Sequence, residues 1–237
     1  MYLLIPAAGM GKRMGSARNK LLLTLLGKPL LAWTLQAAEA ASQISWIGIM
    51  GQTDDFSDFE TIIAQEGFNK PIKLIQGGAT RQESVFNGLK ALPQSAKTVL
   101  IHDGARCLAT PNLFDRCAEK LEICQGVIAA VPVKDTIKIV NDKNIIKHTP
   151  PRSNLWAAQT PQGFEVELLK YCHQQGKELE WEVTDDAALF EKCHLTVRVV
   201  QGEETNIKVT TPVDLEIAQL ILRERLSRDP ATNPTPD

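Results

Sequence analysis

Two cations follow a glycine-studded loop almost at the start of the chain, and the setting suits a polyphosphate. The apolar run Leu3-Leu4-Ile5 breaks into Pro6-Ala7-Ala8-Gly9-Met10-Gly11-Lys12-Arg13. Gly9 and Gly11 lack Cβ atoms, so the backbone there can take unusual φ values and bring its N–H groups close to an anion. Lys12 and Arg13 add charge that glycine cannot. A Walker A loop would need glycine at Pro6 and Ser or Thr at Arg13. The dinucleotide fingerprint would need glycine at Met14. A phosphate loop of a third kind is the reading that remains. Lys20 follows at the rim of Leu21-Leu22-Leu23 and can lean over the same loop, although a lysine that only lays its stem on apolar surface has the same sequence.

Further polar groups recur where short apolar runs end. Gln76-Gly77-Gly78-Ala79-Thr80-Arg81-Gln82-Glu83-Ser84 joins two glycines to a helix start. Bare N–H groups there, with Arg81 and Ser84 in the first turn, would make a polar platform for a ligand. Ile101-His102-Asp103-Gly104-Ala105-Arg106 sets a carboxylate at a strand's carboxyl end, where open α/β sheets bind ligands. Asp103 suits Mg²⁺ or a sugar hydroxyl, and Arg106 suits a phosphate. An Asp–Arg turn salt bridge explains the same pair, and His102 reads as a packed strand residue. Lys208, between apolar neighbours in Asn206–Thr210, is either an edge-strand lysine or a ligand contact. Thr184-Asp185-Asp186 reads first as helix capping.

There is no Ser/His/Asp arrangement, H-E-x-x-H motif or zinc spacing, so no nucleophile or general base stands out. Phosphoryl and nucleotidyl transfer need neither, because positioning and charge neutralisation do most of the work.

The elements that must hold these groups follow a βα rhythm, which argues for a mostly parallel sheet. Strands are expected at 2–6, 44–50, 72–75, 98–102, 127–131 and 196–200. Helices are expected over 30–41, from a capping box at Thr80 to about Leu92, and after Thr110-Pro111 and Thr211-Pro212. One segment breaks the rhythm. Thr136–Val140, a polar turn, and Ile145–His148 predict a β-hairpin, part of an arm over about 134–155. A two-stranded ribbon is marginal alone in water, so it should rest on something, and a partner subunit is a good candidate. Residues 1–226 are expected to form one domain, with 227–237 a disordered tail. A net charge of −2 over 237 residues gives no overall pull toward nucleic acid or membrane. Five cysteines without a C-x-x-C pair suit free thiols in a reducing compartment. With no leader and no run near the ~20 apolar residues of a membrane span, a cytoplasmic protein is expected.

Pro6-Ala7-Ala8-Gly9-x-Gly11-x-Arg13-Met14 with Lys20, Gly77-Gly78-x-x-Arg81-x-x-Ser84, His102-Asp103-x-Ala105-Arg106 and Pro132-Val133-x-Asp135-Thr136-x-Lys138 occur in this order, followed by Arg152-x-x-Leu155-Trp156, Gln159-Thr160-Pro161-Gln162-x-Phe164, Thr184-Asp185-Asp186 and Asn206–Thr210. Together they resemble the 2-C-methyl-D-erythritol 4-phosphate cytidylyltransferase family, over about residues 2–222. The resemblance implies an α/β, Rossmann-like nucleotidyltransferase fold with a protruding hairpin arm, a homodimer held partly by that arm, and Mg²⁺-dependent transfer of CMP from CTP. It implies that Pro6, Ala7, Ala8, Gly9, Gly11, Lys12, Arg13 and Lys20 wrap the triphosphate. Gly77, Gly78 and Ser84 would read the cytosine, with Arg81 also on the nucleotide. Asp103, Arg106, Thr136, Arg152, Thr184 and Lys208 would hold the acceptor or the metal-bound phosphates. Asp103 doubles as a nucleotide contact and as the candidate metal ligand, and Arg13, Lys20 and Lys208 would be catalytic. Thr136 and Arg152, on the arm, would complete the partner's site. The chain departs from the family pattern at Leu21-Leu22-Leu23, at Gly104 (commonly alanine) and at Cys107 (commonly proline). A ribitol 5-phosphate cytidylyltransferase shares much of the pattern, and a noncatalytic CTP-sensing domain is a reading of a different class; both stay open at this point.

Overall fold

The elements run β1 (Tyr2–Pro6), β2 (Thr24–Leu25), β3 (Lys28–Pro29), α1 (Leu30–Ala40), β4 (Trp46–Gly51), α2 (Phe56–Glu66) and β5 (Ile72–Gln76). Next come α3 (Arg81–Ala91), β6 (Thr98–Ile101), α4 (Pro111–Lys120), β7 (Gly126–Pro132), β8 (Ile139–Val140) and β9 (Ile146–His148). The chain closes with β10 (Trp156–Glu165), α5 (Val166–Glu178), α6 (Asp186–Lys192), β11 (Arg198–Gln201) and α7 (Pro212–Arg228). They belong to a computed structural model that describes residues 1–9 and 19–228.

Alternation along β1 sorts the interior. Leu3 and Ile5 join one apolar cluster, with Leu31, Phe59, Leu113 and Phe114, while Leu4 joins the other, with Val85, Leu89, Leu169 and Phe190. Strands buried on both faces require helices on both faces. Hence α1, α2 and α4 supply one layer, and α3, α5 and α6 the other. The seven-stranded sheet has the order β11-β7-β10-β6-β1-β4-β5. All neighbours are parallel except β10, which runs antiparallel to both β6 and β7. The expected strands all form.

β10 is the strand of this sheet that periodicity did not reveal. Pro161 sits inside it, and a proline within a run argues against a strand unless the ladder is interrupted. Here it is: the register with β7 shifts between Ala158 and Gln162. The hairpin forms as a separate two-stranded sheet, β8 with β9, and Asn141 Oδ1 accepts from the Lys143 and Ile145 amides across its turn. Ile139, Val140, Ile145 and Ile146 are all exposed. At the chain's end α7 continues through Arg228, so Ser227 and Arg228 are helical rather than tail. Residues 229–237 lie outside the described residues.

The departures from the family pattern find local causes. Gly104 and Leu21 meet: a Cβ on Gly104 would stand 2.7 Å from Leu21 Cδ1 and 3.2 Å from Ile5 Cγ2. Leu21 thus fills the space that an alanine at 104 would use. Cys107 is buried among Leu25, Leu30, Leu108, Val209 and Leu222, where α7 closes a third apolar cluster. Burial pushes its thiol up to about 12, so it is inert filling.

Overpacking a dense core typically costs about 1–3 kcal/mol. G104A is therefore expected to lower stability by about 1–2 kcal/mol in urea titrations, and L21V/G104A to recover part of that loss. Additive losses in the double variant would show that the two positions do not share this space.

Candidate active site

β1, β5 and β6 run parallel, so their carboxyl ends open on the same edge of the sheet, where α/β proteins place ligands. A cavity of about 210 Å³ lies there, lined by residues from the β1 end (Pro6, Ala7, Ala8, Gly9), Lys20 and Leu21, the start of α3 (Gly78–Arg81, Ser84), Asp103–Ala105, and Lys208. The sequence's separate constellations thus converge on one place. Gly11, Lys12 and Arg13 lie outside the described residues. At Gly9 φ is not in the left-handed region, and among the described residues a Cβ would meet nothing within 4 Å, so the described surroundings of this position do not demand glycine. Gly77 does: a Cβ would fall 2.9 Å from that of Ala8 and 3.2 Å from the Gly51 carbonyl. This close approach draws β5's end against the β1 loop.

Asp103 is the sole carboxylate among the described residues lining the cavity. Lys208 Nζ lies 2.8 Å from Oδ2, Arg81 Nε 3.5 Å from Oδ1 and Arg106 Nε 3.7 Å from Oδ2. Burial alone would raise the carboxyl, but Arg81, Lys208 and Arg106 overturn that and hold it well below the usual carboxylate range. Lys20 Nζ donates to the Val209 carbonyl at 3.1 Å, which sets both lysines against one segment. That segment is pinned in turn, by Val209 N–H to Ala105 O at 2.9 Å and by Arg106 NH1 to Asn206 O at 2.8 Å.

Several expected contacts look different in three dimensions. The amides at 78 and 79 are not bare: Ser84 Oγ accepts from Gly78 N–H at 3.0 Å and Glu83 Oε2 from Ala79 N–H at 2.8 Å. The α3 platform therefore offers Arg81 rather than open backbone donors at those two positions. Arg106 does not line the cavity; its guanidinium is spent on the Asn206 and Ala158 carbonyls and it braces Asp103 from behind. Thr136 and Arg152 sit in the arm segment, away from the cavity, with Arg152 NH1 on the Lys134 carbonyl at 2.8 Å. Thr184 is exposed just before Asp185, which caps α6 through the Ala188 amide.

The residues that sequence reasoning underused are in β10. Thr160 Oγ1 accepts from the Asp103 amide at 3.0 Å and also meets His102 Nδ1 at 3.0 Å. The other ring nitrogen, Nε2, faces the Arg106 carbonyl at 3.2 Å. A carbonyl can only accept, so Nε2 carries the proton and Nδ1 accepts from Thr160. This relay fixes both ends of the Asp103–Arg106 turn. Burial pushes His102 down to about 4, so it is neutral at pH 7 and supplies no proton chemistry. Gln159 and Gln162 extend the brace, bonding Asn206 Nδ2 at 3.2 Å and Asp185 Oδ2 at 2.8 Å. The signal was the Gln159-Thr160-Pro161-Gln162 motif itself.

A single carboxylate at the cavity wall fits a divalent cation that takes its other ligands from substrate phosphates and water, as Mg²⁺ commonly does. No cluster of three or more potential protein ligands occurs among the described residues, so the protein's share of such a site would be Asp103.

Fold and cavity together define an α/β protein of the nucleotidyltransferase class, with a cation-rich site at the carboxyl edge of a mostly parallel sheet. The IspD family model, 2-C-methyl-D-erythritol 4-phosphate cytidylyltransferase, matches residues 1–224. Proteins of that name from Crocosphaera subtropica and Microcystis aeruginosa are 70% and 69% identical, over 96% and 95% of this chain and 100% of each relative. The crystal structure of 4-diphosphocytidyl-2C-methyl-D-erythritol synthase from Anaerococcus prevotii superposes with a TM-score of 0.85 at 34% identity, covering 94% of this chain and 97% of that one. The chain belongs to the 2-C-methyl-D-erythritol 4-phosphate cytidylyltransferase family.

The unfolded chain protonates His102 near 6.5, whereas the folded chain resists until about 4. Stability from this residue is therefore complete above pH 6.5 and lost as pH falls toward 4, at up to about 1.4 kcal/mol per pH unit. Asp103 and Asp186, held low, act below that window. Urea titrations between pH 7 and 4.5 should show a shallower acid slope in H102Q than in the parent. An unchanged slope would show that His102 is not the titrating group.

Proposed function

We propose that this chain transfers CMP from CTP to 2-C-methyl-D-erythritol 4-phosphate. The products are 4-diphosphocytidyl-2-C-methyl-D-erythritol and pyrophosphate. The observation that carries this reading is the cavity at the sheet edge that Lys20 lines and in which Arg81 and Lys208 meet one carboxylate, in a chain of this family.

The chemistry asks for little beyond that. A phosphomonoester has its second pKa near 6, so the acceptor is largely a dianion at pH 7. One of its oxygens attacks the α-phosphorus, the bond to the β-phosphate breaks, and pyrophosphate leaves with the electron pair. No general base is needed, in keeping with a neutral, buried His102. Lys20 and Lys208 stabilise charge that develops on the α-phosphate and the leaving group, and the 103–106 turn orients the acceptor. Mg²⁺, when bound, would neutralise the triphosphate and leaving group, with Asp103 as its protein ligand.

The arm supports a homodimer. Ile139, Val140, Ile145 and Ile146 are exposed on a ribbon whose strands, among the described residues, pair only with each other, and burying them against a second copy would bring Thr136 and Arg152 toward the partner's cavity. The reaction fits a cytoplasmic enzyme; no helix among the described residues is long and apolar enough to cross a membrane.

Pyrophosphate release with CTP and Mg²⁺ should occur with 2-C-methyl-D-erythritol 4-phosphate and not with ribitol 5-phosphate. Turnover with ribitol 5-phosphate alone would move the activity to the sister reaction, and tight CTP binding without release would favour a sensor. K20A is expected to lower kcat by about 100-fold or more with unchanged circular dichroism. Ile139→Asp/Ile146→Asp should shift the chain from dimer to monomer in sedimentation.

A further inference from the structure

Behind the cavity, a line of ionisable groups runs back into the helical layer, and the reaction as written does not use its far end. Asp186, in the first turn of α6, is 1% exposed, and His173 on α5 is 2% exposed. His173 Nε2 lies 3.1 Å from Asp186 Oδ1, and Arg81 NH1 lies 2.8 Å from Asp186 Oδ2. Arg81 then reaches Asp103 through Nε, at 3.5 Å. One guanidinium is shared between two carboxylates, one facing substrate and one sealed from it.

The distances decide how it is shared. Arg81 sits 0.7 Å closer to Asp186 than to Asp103 (3.5 against 2.8 Å), while the short contact on Asp103 belongs to Lys208, at 2.8 Å. An arginine beside a single carboxylate favours a bidentate fork. Arg81 does not make one on Asp103, because Asp186 draws its NH1 end away. We propose that Asp186 is a positioning residue: it holds Arg81 off Asp103, so that Asp103 remains free to orient Lys208. His173 positions Asp186 in turn. Its ring engages Oδ1 and stacks on Phe86, with centroids 5.8 Å apart and planes 13° from parallel, which leaves Oδ2 turned to Arg81.

Removing the charge at 186 frees Arg81 to fork onto Asp103 and displaces Lys208. Because Lys208 acts on the reacting phosphates under the function proposed above, on which this inference rests, the loss should fall on kcat. A misplacement of this kind costs up to about 100-fold.

The test combines D186N, R81Q and R81Q/D186N, assayed with CTP and 2-C-methyl-D-erythritol 4-phosphate beside the parent, with CTP affinity measured by calorimetry. D186N is expected to lower kcat about 10- to 100-fold with CTP affinity within about threefold. R81Q/D186N should match R81Q in kcat, since Asp186 acts only through Arg81. A D186N loss that persists undiminished without Arg81, or a D186N with parental kcat, overturns the proposal. A silent parent overturns the function instead, and then the crystal structure of D186N decides the inference. An Arg81 fork on Asp103 with Lys208 beyond hydrogen-bond reach supports it, and the parental arrangement sinks it. Should D186N fail to fold, H173F and H173Q replace it. H173F should lose kcat, and H173Q, whose amide keeps a donor for Asp186, should recover most of the loss; equal values for the two would count against the relay.

Discussion

A carboxylate that is nearly sealed from water must be paired, and the functional edge of this molecule is organised around that requirement at Asp103. Its cations come from three places in the chain: Arg81 at the head of α3, Arg106 three residues on, and Lys208 on the segment leading to α7. Removing any one would leave buried charge poorly compensated, which costs far more than the intact pair contributes. The carboxylate therefore acts as a positional anchor. It fixes where three elements end, and their other groups face the cavity as a consequence.

The support behind the anchor is built from neutral groups. The Thr160–His102 relay works because burial keeps the ring uncharged, so each hydrogen bond has one direction. Directional neutral bonds hold backbone well without adding field, and the field in the cavity is left to the lysines and arginines. β10 supplies this support from an antiparallel position between β6 and β7, and its irregular register carries Gln159 and Thr160 to where regular pairing would not put them.

Much of this arrangement is legible in the sequence. Apolar runs at 2–6, 98–101 and 127–131 give strands because they are buried on both faces, and Thr80 and Thr110 cap helices as their chemistry demands. The convergence of Lys20, Arg81, Asp103 and Lys208 follows from their places at strand ends and on the segment beyond β11. β10 was hidden because a proline and two glutamines conceal its alternation, and only tertiary pairing makes it a strand. The carbonyls that Arg106 reaches were hidden for a related reason: an arginine's sequence neighbours do not reveal which ones it will find. The amides at 78 and 79 were similarly claimed by Glu83 and Ser84, groups that sit in plain view in the same capping motif.

The hydrogen bond from Lys20 to the Val209 carbonyl spans 189 positions, and this has a consequence for how the molecule comes to exist. Contacts so distant in sequence close late, after the entropy of a very long loop has been overcome. A growing chain that has already released residue 20 from the ribosome still cannot set Lys20 against this carbonyl until residue 209 has emerged. The wall of the cavity that Lys20 and Lys208 share thus closes only when both distant segments are present, and products terminated between them are left without it.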